Sequence, residues 1–185
     1  MSLHRENIAV TYSMDTATES QLFKHLLSVD PFFVPPLSTR VDIKTYAKKL
    51  SLNAIGFEAW VEGTLAGMIN IYIESQGEES PPEKAFISNV SLLKEYQGRG
   101  LAQHLLNDCL AYCREKNILW MTLVVDRENI IALSFYQKNG FTPISFQVNE
   151  SNQETQENIK SNHVKLNQVE VNQGEVQLVL ALEEL

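Results

Sequence analysis

Between residues 85 and 141 two periodicities alternate in an order that few folds accommodate. Residues 85–92 are rich in β-formers. From Leu101 onward the apolar positions Leu101, Leu105, Cys109 and Tyr112 share one helical face. Residues 118–125 are continuously apolar, as in a strand covered on both sides, and residues 129–139 read as a short helix with Gly140 behind it as the left-handed cap. Strand, helix, strand, helix predicts an α/β or α+β domain.

The flanking sequence fits around that unit. Residues 8–12 form a first strand, followed by Asp15 and Thr16 as helix caps and by Leu22, Phe23, Leu26 and Leu27 at helical spacing up to Val29. Asp30-Pro31 stops this helix and Pro35-Pro36 keeps the next stretch extended. A second helix is expected over 41–52. Two strands, 54–61 and 65–73, are joined by Glu62-Gly63-Thr64, a hairpin signal. Residues 75–83 are polar, contain Pro81-Pro82, and read as a loop. Past Phe141 the character changes: 142–148 is a strand candidate, and 149–174 holds ten Asn or Gln residues. Inside that polar insertion Val164, Leu166, Val169 and Val171 suggest a strand turning at Asn172-Gln173-Gly174 to pair with 176–182. The expectation is one domain over 1–185, with an insertion at about 149–174.

Composition narrows the class of partner. The 185 residues include 44% hydrophobic and 21% charged residues, enough for a core and too apolar for wholesale disorder. A net charge of -8 argues against wrapping nucleic acid or coating an anionic membrane, both of which need a basic surface. No run of about 18 apolar residues offers a membrane span, and residues 1–10 have no apolar core of a signal peptide. Cys109 and Cys113 lie four apart on an apolar helical face, which reads as packing in a reduced interior. Together these give a cytoplasmic expectation. His4, His25, His104 and His163 are scattered, carry no ligand spacing, and are assigned no role; no metal site is expected.

The chemistry concentrates in Leu92-Leu93-Lys94-Glu95-Tyr96-Gln97-Gly98-Arg99-Gly100-Leu101-Ala102. A strand ends, a glycine-containing turn follows, and a helix starts with unpartnered N–H groups and the positive end of its dipole. Glycines at 98 and 100 let a bulky anion approach the backbone, so the turn is a pyrophosphate-sized site, with Arg99 at its rim. A nucleotide P-loop needs Gly-Lys-Ser/Thr, which is absent. A dinucleotide fingerprint needs a third glycine where Gln103 stands, although Asp126 lies at a suitable distance for a ribose contact. An ordinary capping turn is the plain alternative.

A third reading joins two blocks. Gln97-Gly98-Arg99-Gly100-Leu101-Ala102 fits Q/R-x-x-G-x-G/A, and NIIALSFYQKNGF, with Asn129, Ala132, Phe135, Tyr136, Gly140 and Phe141, fits N-x-x-A-x-x-F-Y-x-x-x-G-F. In this order, with an apolar strand between, the chain resembles the Gcn5-related N-acetyltransferases over residues 54–141. The resemblance implies an acyl-CoA N-acyltransferase fold of the α/β class, a central mixed β-sheet flanked by helices, and acetyl-CoA as cosubstrate. Val90, Ser91 and Leu92 would pair with its pantetheine arm, with a main-chain N–H near Leu92 facing the thioester carbonyl. Gln97, Gly98, Arg99, Gly100, Leu101 and Ala102 would hold its pyrophosphate, Asn129 would contact the cofactor near the reacting end, and Tyr136 would be the general acid for the departing thiolate.

The implied reaction is direct acetyl transfer to a primary amine in a ternary complex; a small molecule such as an amino sugar or amino acid is the expected acceptor, with protein N-termini and lysine side chains as the other acceptors open to it. The attacking amine must be neutral, yet Phe86-Ile87-Ser88-Asn89 carries no carboxylate; Glu58, Glu74 and Asp126 remain equal candidates for the base. Pro35-Pro36-Leu37-Ser38 and the following helix are placed to line the acceptor pocket. The alternatives are a non-catalytic CoA-binding module of the same fold and, more distantly, a dinucleotide-binding domain. An edge strand at 176–182 offers a route to a homodimer.

Overall fold

The computed structural model describes residues 9–75, 82–144, 146–147, 156–157 and 174–182. Its elements run β1 (Thr11–Met14), α1 (Glu19–Val29), α2 (Ile43–Asn53), β2 (Ile55–Val61), β3 (Thr64–Ser75), β4 (Pro82–Leu92), α3 (Leu101–Glu115), β5 (Trp120–Asp126), α4 (Ile130–Lys138), β6 (Thr142–Pro143), β7 (Phe146–Gln147), β8 (Gln156–Glu157) and β9 (Glu175–Ala181). Seven strands form one sheet in the order β1-β2-β3-β4-β5-β9-β6, and β7 pairs with β8. Every neighbouring pair is antiparallel except β4–β5, which the α3 crossover makes parallel.

The sheet divides two packing layers. On one face Leu101, Leu105, Leu106 and Cys109 of α3 pack on Ile69, Ile71, Ile87 and Leu123, with Tyr136 and Phe141 joining the same apolar cluster. On the other face Leu22 and Leu26 of α1 and Ile43, Ala47 and Leu50 of α2 close over Leu65 and Met68. The β2–β3 hairpin turns through Glu62 and Gly63, both at positive φ (48° and 76°), the primed geometry that suits the twist of paired strands.

Several boundaries differ from the sequence reading, each for a local reason. Thr18, rather than Asp15 or Thr16, caps α1: its hydroxyl accepts from the Gln21 N–H while the Gln21 side chain accepts from the Thr18 N–H, a capping box. Asp15 instead sits at φ 54° and accepts from the Gly56 N–H at 2.6 Å. Pro82 and Glu83 belong to β4, Pro82 being tolerated at the strand's first residue. The strand expected over 142–148 appears as two separate pairs, β6 and β7. Within the expected insertion, Gln156–Glu157 forms β8; the strand expected around Val164–Val171 lies outside the described residues. The 176–182 strand is no edge: β9 pairs with β5 along its length and with β6 at Leu178 and Val179. It therefore does not offer the homodimer route drawn from the sequence.

Candidate active site

The site begins where the two central strands part. Parallel pairing of β4 with β5 runs from Lys84–Trp120 to Ile87–Leu123. Beyond it β4 continues against β3 as far as Leu92–Gly67, and β5 continues against β9 as far as Asp126–Glu175. At the parting β4 carries one extra residue: Asn89 faces Asn70 and Ile87 faces Ile71, leaving Ser88 unopposed. Such a bulge bends its strand and increases local twist, which turns Val90–Leu92 away from β5. The bulge is pinned from α2, where the Tyr46 hydroxyl donates to the Ser88 carbonyl at 3.0 Å. Burial pushes the Tyr46 phenol up to about 12, so this donor keeps its proton.

The glycine turn follows directly. Leu93 N–H closes onto the Ala66 carbonyl (2.8 Å), a 3-10 turn occupies Lys94–Tyr96, and the Gln97 carboxamide folds back to the Leu92 carbonyl at 3.4 Å. Gly98 and Gly100 take φ of 71° and 84°, and Gly100 is the N-cap of α3 with no side-chain cap. A Cβ added at either glycine would meet nothing within 4 Å, so their identity follows from backbone conformation and not from crowding. The first helical bond runs from the His104 N–H to the Gly100 carbonyl (3.1 Å), so the N–H groups of Leu101, Ala102 and Gln103 precede the ladder. With residues 97–100 exposed, this is an uncapped helix start open to an anion. The Arg99 guanidinium lies over the Tyr96 ring at 5.6 Å, beside the turn.

The second block adds α4. The Asn129 carboxamide oxygen accepts from the Ala132 N–H (3.1 Å), a helix N-cap. Tyr136 is 6% exposed and packs edge-on to Phe135 and Phe141. Desolvation raises its phenol well above the usual value, so it is a proton-bearing group throughout the ordinary pH range. Asn139, the C-cap of α4, exchanges two hydrogen bonds with Gln103 (2.6 and 3.2 Å) and donates to the Phe135 carbonyl at 2.8 Å. Thus Gln103, standing where a dinucleotide fingerprint needs glycine, ties the start of α3 to the end of α4.

The three candidate bases separate. Glu58 is buried and accepts from the backbone N–H of Thr16 (3.1 Å) and Ala17 (2.9 Å), from the Ser13 and Thr16 hydroxyls and from the Trp60 indole (3.2 Å). That set holds the β1–α1 connection and leaves Glu58 committed to structure. Glu74 pairs with Lys84 at 3.3 Å. Asp126 accepts from the Glu128 N–H (2.8 Å) and lies opposite Glu175, itself paired with Arg40 at 3.5 Å. Asp30 holds Ser38 through its N–H (2.7 Å) and hydroxyl (2.8 Å), so the 35–40 segment crosses from α1 towards β9.

Sequence reasoning passed over His25. Its Nδ1 faces the Leu65 carbonyl (2.8 Å) and its Nε2 faces the Ser91 hydroxyl (2.9 Å), on the strand proposed for the cofactor. Burial lowers its pKa, partly opposed by the Leu65 bond. The signal was its position on the buried stripe Leu22, His25, Leu26, Val29. Cys109 and Cys113 are both buried and free on α3, and Cys109 is pushed up by its contact with Cys113 and by burial.

A split parallel strand pair, a bulged β4 and an uncapped helix after a glycine turn together define the frame of an acyl-group transferase. The chain belongs to the acetyltransferase (GNAT) family, whose pattern it matches over residues 21–141. It is 31% identical over 91 residues to a spermidine N(1)-acetyltransferase of Thermoplasma acidophilum, covering 49% of this chain and 52% of that protein. It is 33% identical over 91 residues to an uncharacterized N-acetyltransferase of Lactobacillus delbrueckii subsp. lactis (48% and 51%). These matches span about half the length of those curated relatives. The fold is shared with a GNAT acetyltransferase of Staphylococcus aureus (TM-score 0.66, 15% identity, 95% and 100% covered). It is also shared with the PaiA N-acetyltransferase of Thermoplasma acidophilum, solved in complex with coenzyme A (TM-score 0.61, 16% identity, 92% and 99% covered). Among the described residues no helix is long and apolar enough to cross a membrane.

Proposed function

We propose that this protein is an acetyl-CoA-dependent N-acetyltransferase, formed by a single domain over 1–185, that transfers acetyl directly to the primary amine of a small molecule. The carrying observation is the β4–β5 split leading into the uncapped start of α3. Among the described residues no strand pairs with Val90, Ser91 and Leu92 on the β5 side, which suits the pantetheine arm, and residues 97–102 suit the pyrophosphate. Asn129, already capping α4, sits at the entry of the helix that carries Tyr136.

Holding amine and thioester together supplies proximity, and a main-chain N–H near Leu92 stabilises the developing oxyanion. Tyr136 acts on the departing sulfur. A thiol has a pKa of about 8.5, and the buried phenol lies above that, so hydrogen-bond donation to the sulfur as charge develops is its main contribution. None of Glu58, Glu74 and Asp126 is free of a structural partner, which leaves the amine to lose its proton to water.

The test is thiol release from acetyl-CoA with a panel of primary amines, paired with direct acetyl-CoA titration. Tyr136→Phe is expected to lower kcat by about 100-fold while changing acetyl-CoA affinity less than about twofold. Unchanged turnover removes Tyr136 from the reaction, and binding without turnover on any amine favours the non-catalytic module.

A further inference from the structure

Among the described residues, the stretch of β4 beyond its bulge has one strand neighbour. Asn89–Leu92 pair with Gly67–Asn70 of β3, while the parallel pairing with β5 ends at Ile87–Leu123. A strand held along one side resists rotation about its own axis less than one held along both, and that rotation sets where its outer N–H and C=O groups aim. Side chains on its two faces then decide the matter. Val90 and Leu92 pack against the α3-side cluster. Ser91, between them, points the other way, beside its β3 partner Met68, which belongs to the cluster under α1 and α2.

His25 of α1 is what Ser91 meets there. Its Nδ1 stands 2.8 Å from the Leu65 carbonyl and its Nε2 2.9 Å from Ser91 Oγ, so one ring joins α1 to both β3 and β4. The polarity of these bonds is fixed. A carbonyl can only accept, so the ring proton is on Nδ1, and Nε2 accepts from the Ser91 hydroxyl. Burial, partly opposed by the Leu65 bond, lowers the ring's pKa, which keeps Nε2 an acceptor at neutral pH. Ser91 Oγ in turn accepts from Asn89 Nδ2 at 3.1 Å, and the same nitrogen donates to Asn70 Oδ1 at 3.1 Å. His25, Asn70, Asn89 and Ser91 are all buried, where a lost bond is not replaced by water.

This clip has a counterpart at the other end of the stretch. Tyr46 of α2 holds the Ser88 carbonyl at 3.0 Å. Beyond Ser91, the Leu93 N–H closes onto the Ala66 carbonyl at 2.8 Å, next in β3 to the Leu65 carbonyl that His25 occupies. The segment 88–92 is thus tied to α2 at its start and to α1 near its end.

We propose that His25 is a positioning residue for the cofactor: through Ser91 it holds the backbone of Val90–Leu92 in the orientation that the pantetheine arm of acetyl-CoA requires. The inference rests on the acetyl-transfer reading. His25 itself touches no substrate. Its Leu65 bond anchors the ring to β3, and its Ser91 bond passes that anchorage to β4.

Two substitutions separate these bonds. In His25→Asn the carboxamide nitrogen takes the place of Nδ1 and still donates to Leu65, but the side chain stops short of Ser91. In His25→Gln the carboxamide oxygen takes the place of Nε2 and still accepts from Ser91, while the Leu65 bond is lost. Each protein is titrated at neutral pH with acetyl-CoA and with 3′-phosphoadenosine 5′-diphosphate, a fragment that has the pyrophosphate and lacks the pantetheine arm. His25→Asn is expected to weaken acetyl-CoA binding about tenfold and to leave fragment binding within about twofold of the wild type. His25→Gln is expected to bind both as the wild type does. Melting temperatures should fall in both variants, since each loses one buried bond, so lost stability alone does not reproduce this pattern. Ser91→Ala removes the same link from the other side and should weaken acetyl-CoA binding as His25→Asn does, with no further loss in the double variant. Equal weakening by His25→Asn and His25→Gln, equal weakening of acetyl-CoA and the fragment, or unchanged acetyl-CoA affinity in His25→Asn or Ser91→Ala overturns the inference while leaving acetyl transfer intact. No acetyl-CoA binding by the wild type overturns the acetyl-transfer reading, and this inference with it.

Discussion

The two faces of the sheet solve the same packing problem with different chemistry. The α3 face is apolar: Leu105, Leu106 and Cys109 are fully buried against Ile69, Ile71 and Leu123. The face under α1 and α2 mixes Leu26, Ala47 and Met68 with buried His25, Glu58, Asn70, Asn89 and Ser91. One face is held by non-directional burial, the other by bonds with fixed donors and acceptors. The lesson is a division of labour: the apolar layer fixes the sheet, and the polar layer fixes individual side chains on β4.

If that contrast is right, substitutions on the two faces fail in different ways. The largest effect is expected from Leu105→Ala, which leaves a cavity in the apolar layer. Denaturant unfolding should show a loss of about 3–5 kcal/mol, and the loss should be the same at pH 5 and pH 7. A smaller loss, about 2–3 kcal/mol, is expected for Glu58→Gln, since an amide nitrogen would face donors that now meet a carboxylate. A change below 1 kcal/mol would mean the β1–α1 connection does not depend on that cluster.

The smallest effect belongs to His25. Its folded pKa is lowered by burial, so the unfolded chain takes up the proton first. Stability that is complete above the unfolded value of about 6.5 is therefore lost as pH falls through that value towards the folded one. Thermal unfolding from pH 7 to pH 5 should show a decline in the wild type that is shallower in His25→Gln. Equal slopes in both proteins would remove His25 as the source and blur the contrast between the faces.

Much of this architecture was legible from spacing. The hairpin at Glu62-Gly63, the glycine turn at 98–100 and the Asn129–Gly140 helix appear where residue type alone fixes the backbone, whereas the number of strands in the sheet and their order do not follow from the order of elements. The Thr18 cap was missed because Asp15 and Thr16 are equally good capping types, and the choice among them is made by Gly56 and Glu58, some 40 residues away. The same distance hides the role of Glu58: a carboxylate in a strand looks like a candidate base until its donors are known. The surroundings of His25 and of the buried polar side chains Asn89, Thr122 and Gln177 depend on contacts between separate strands and helices. Periodicity could place such residues on a buried face without naming what they meet there.

The position of β9 bears on how the chain is assembled during synthesis. Its residues pair with β5, about 50 positions earlier, and fill the slot between β5 and β6. A ribosome delivers β5 with one edge unsatisfied, and that edge waits until residues 175–181 have emerged. Closure of the sheet is therefore a late, long-range event of the sort that slows folding and exposes sticky intermediates. Truncation before Glu175 would leave every element of the glycine turn in the chain and still deprive β5 of its antiparallel neighbour.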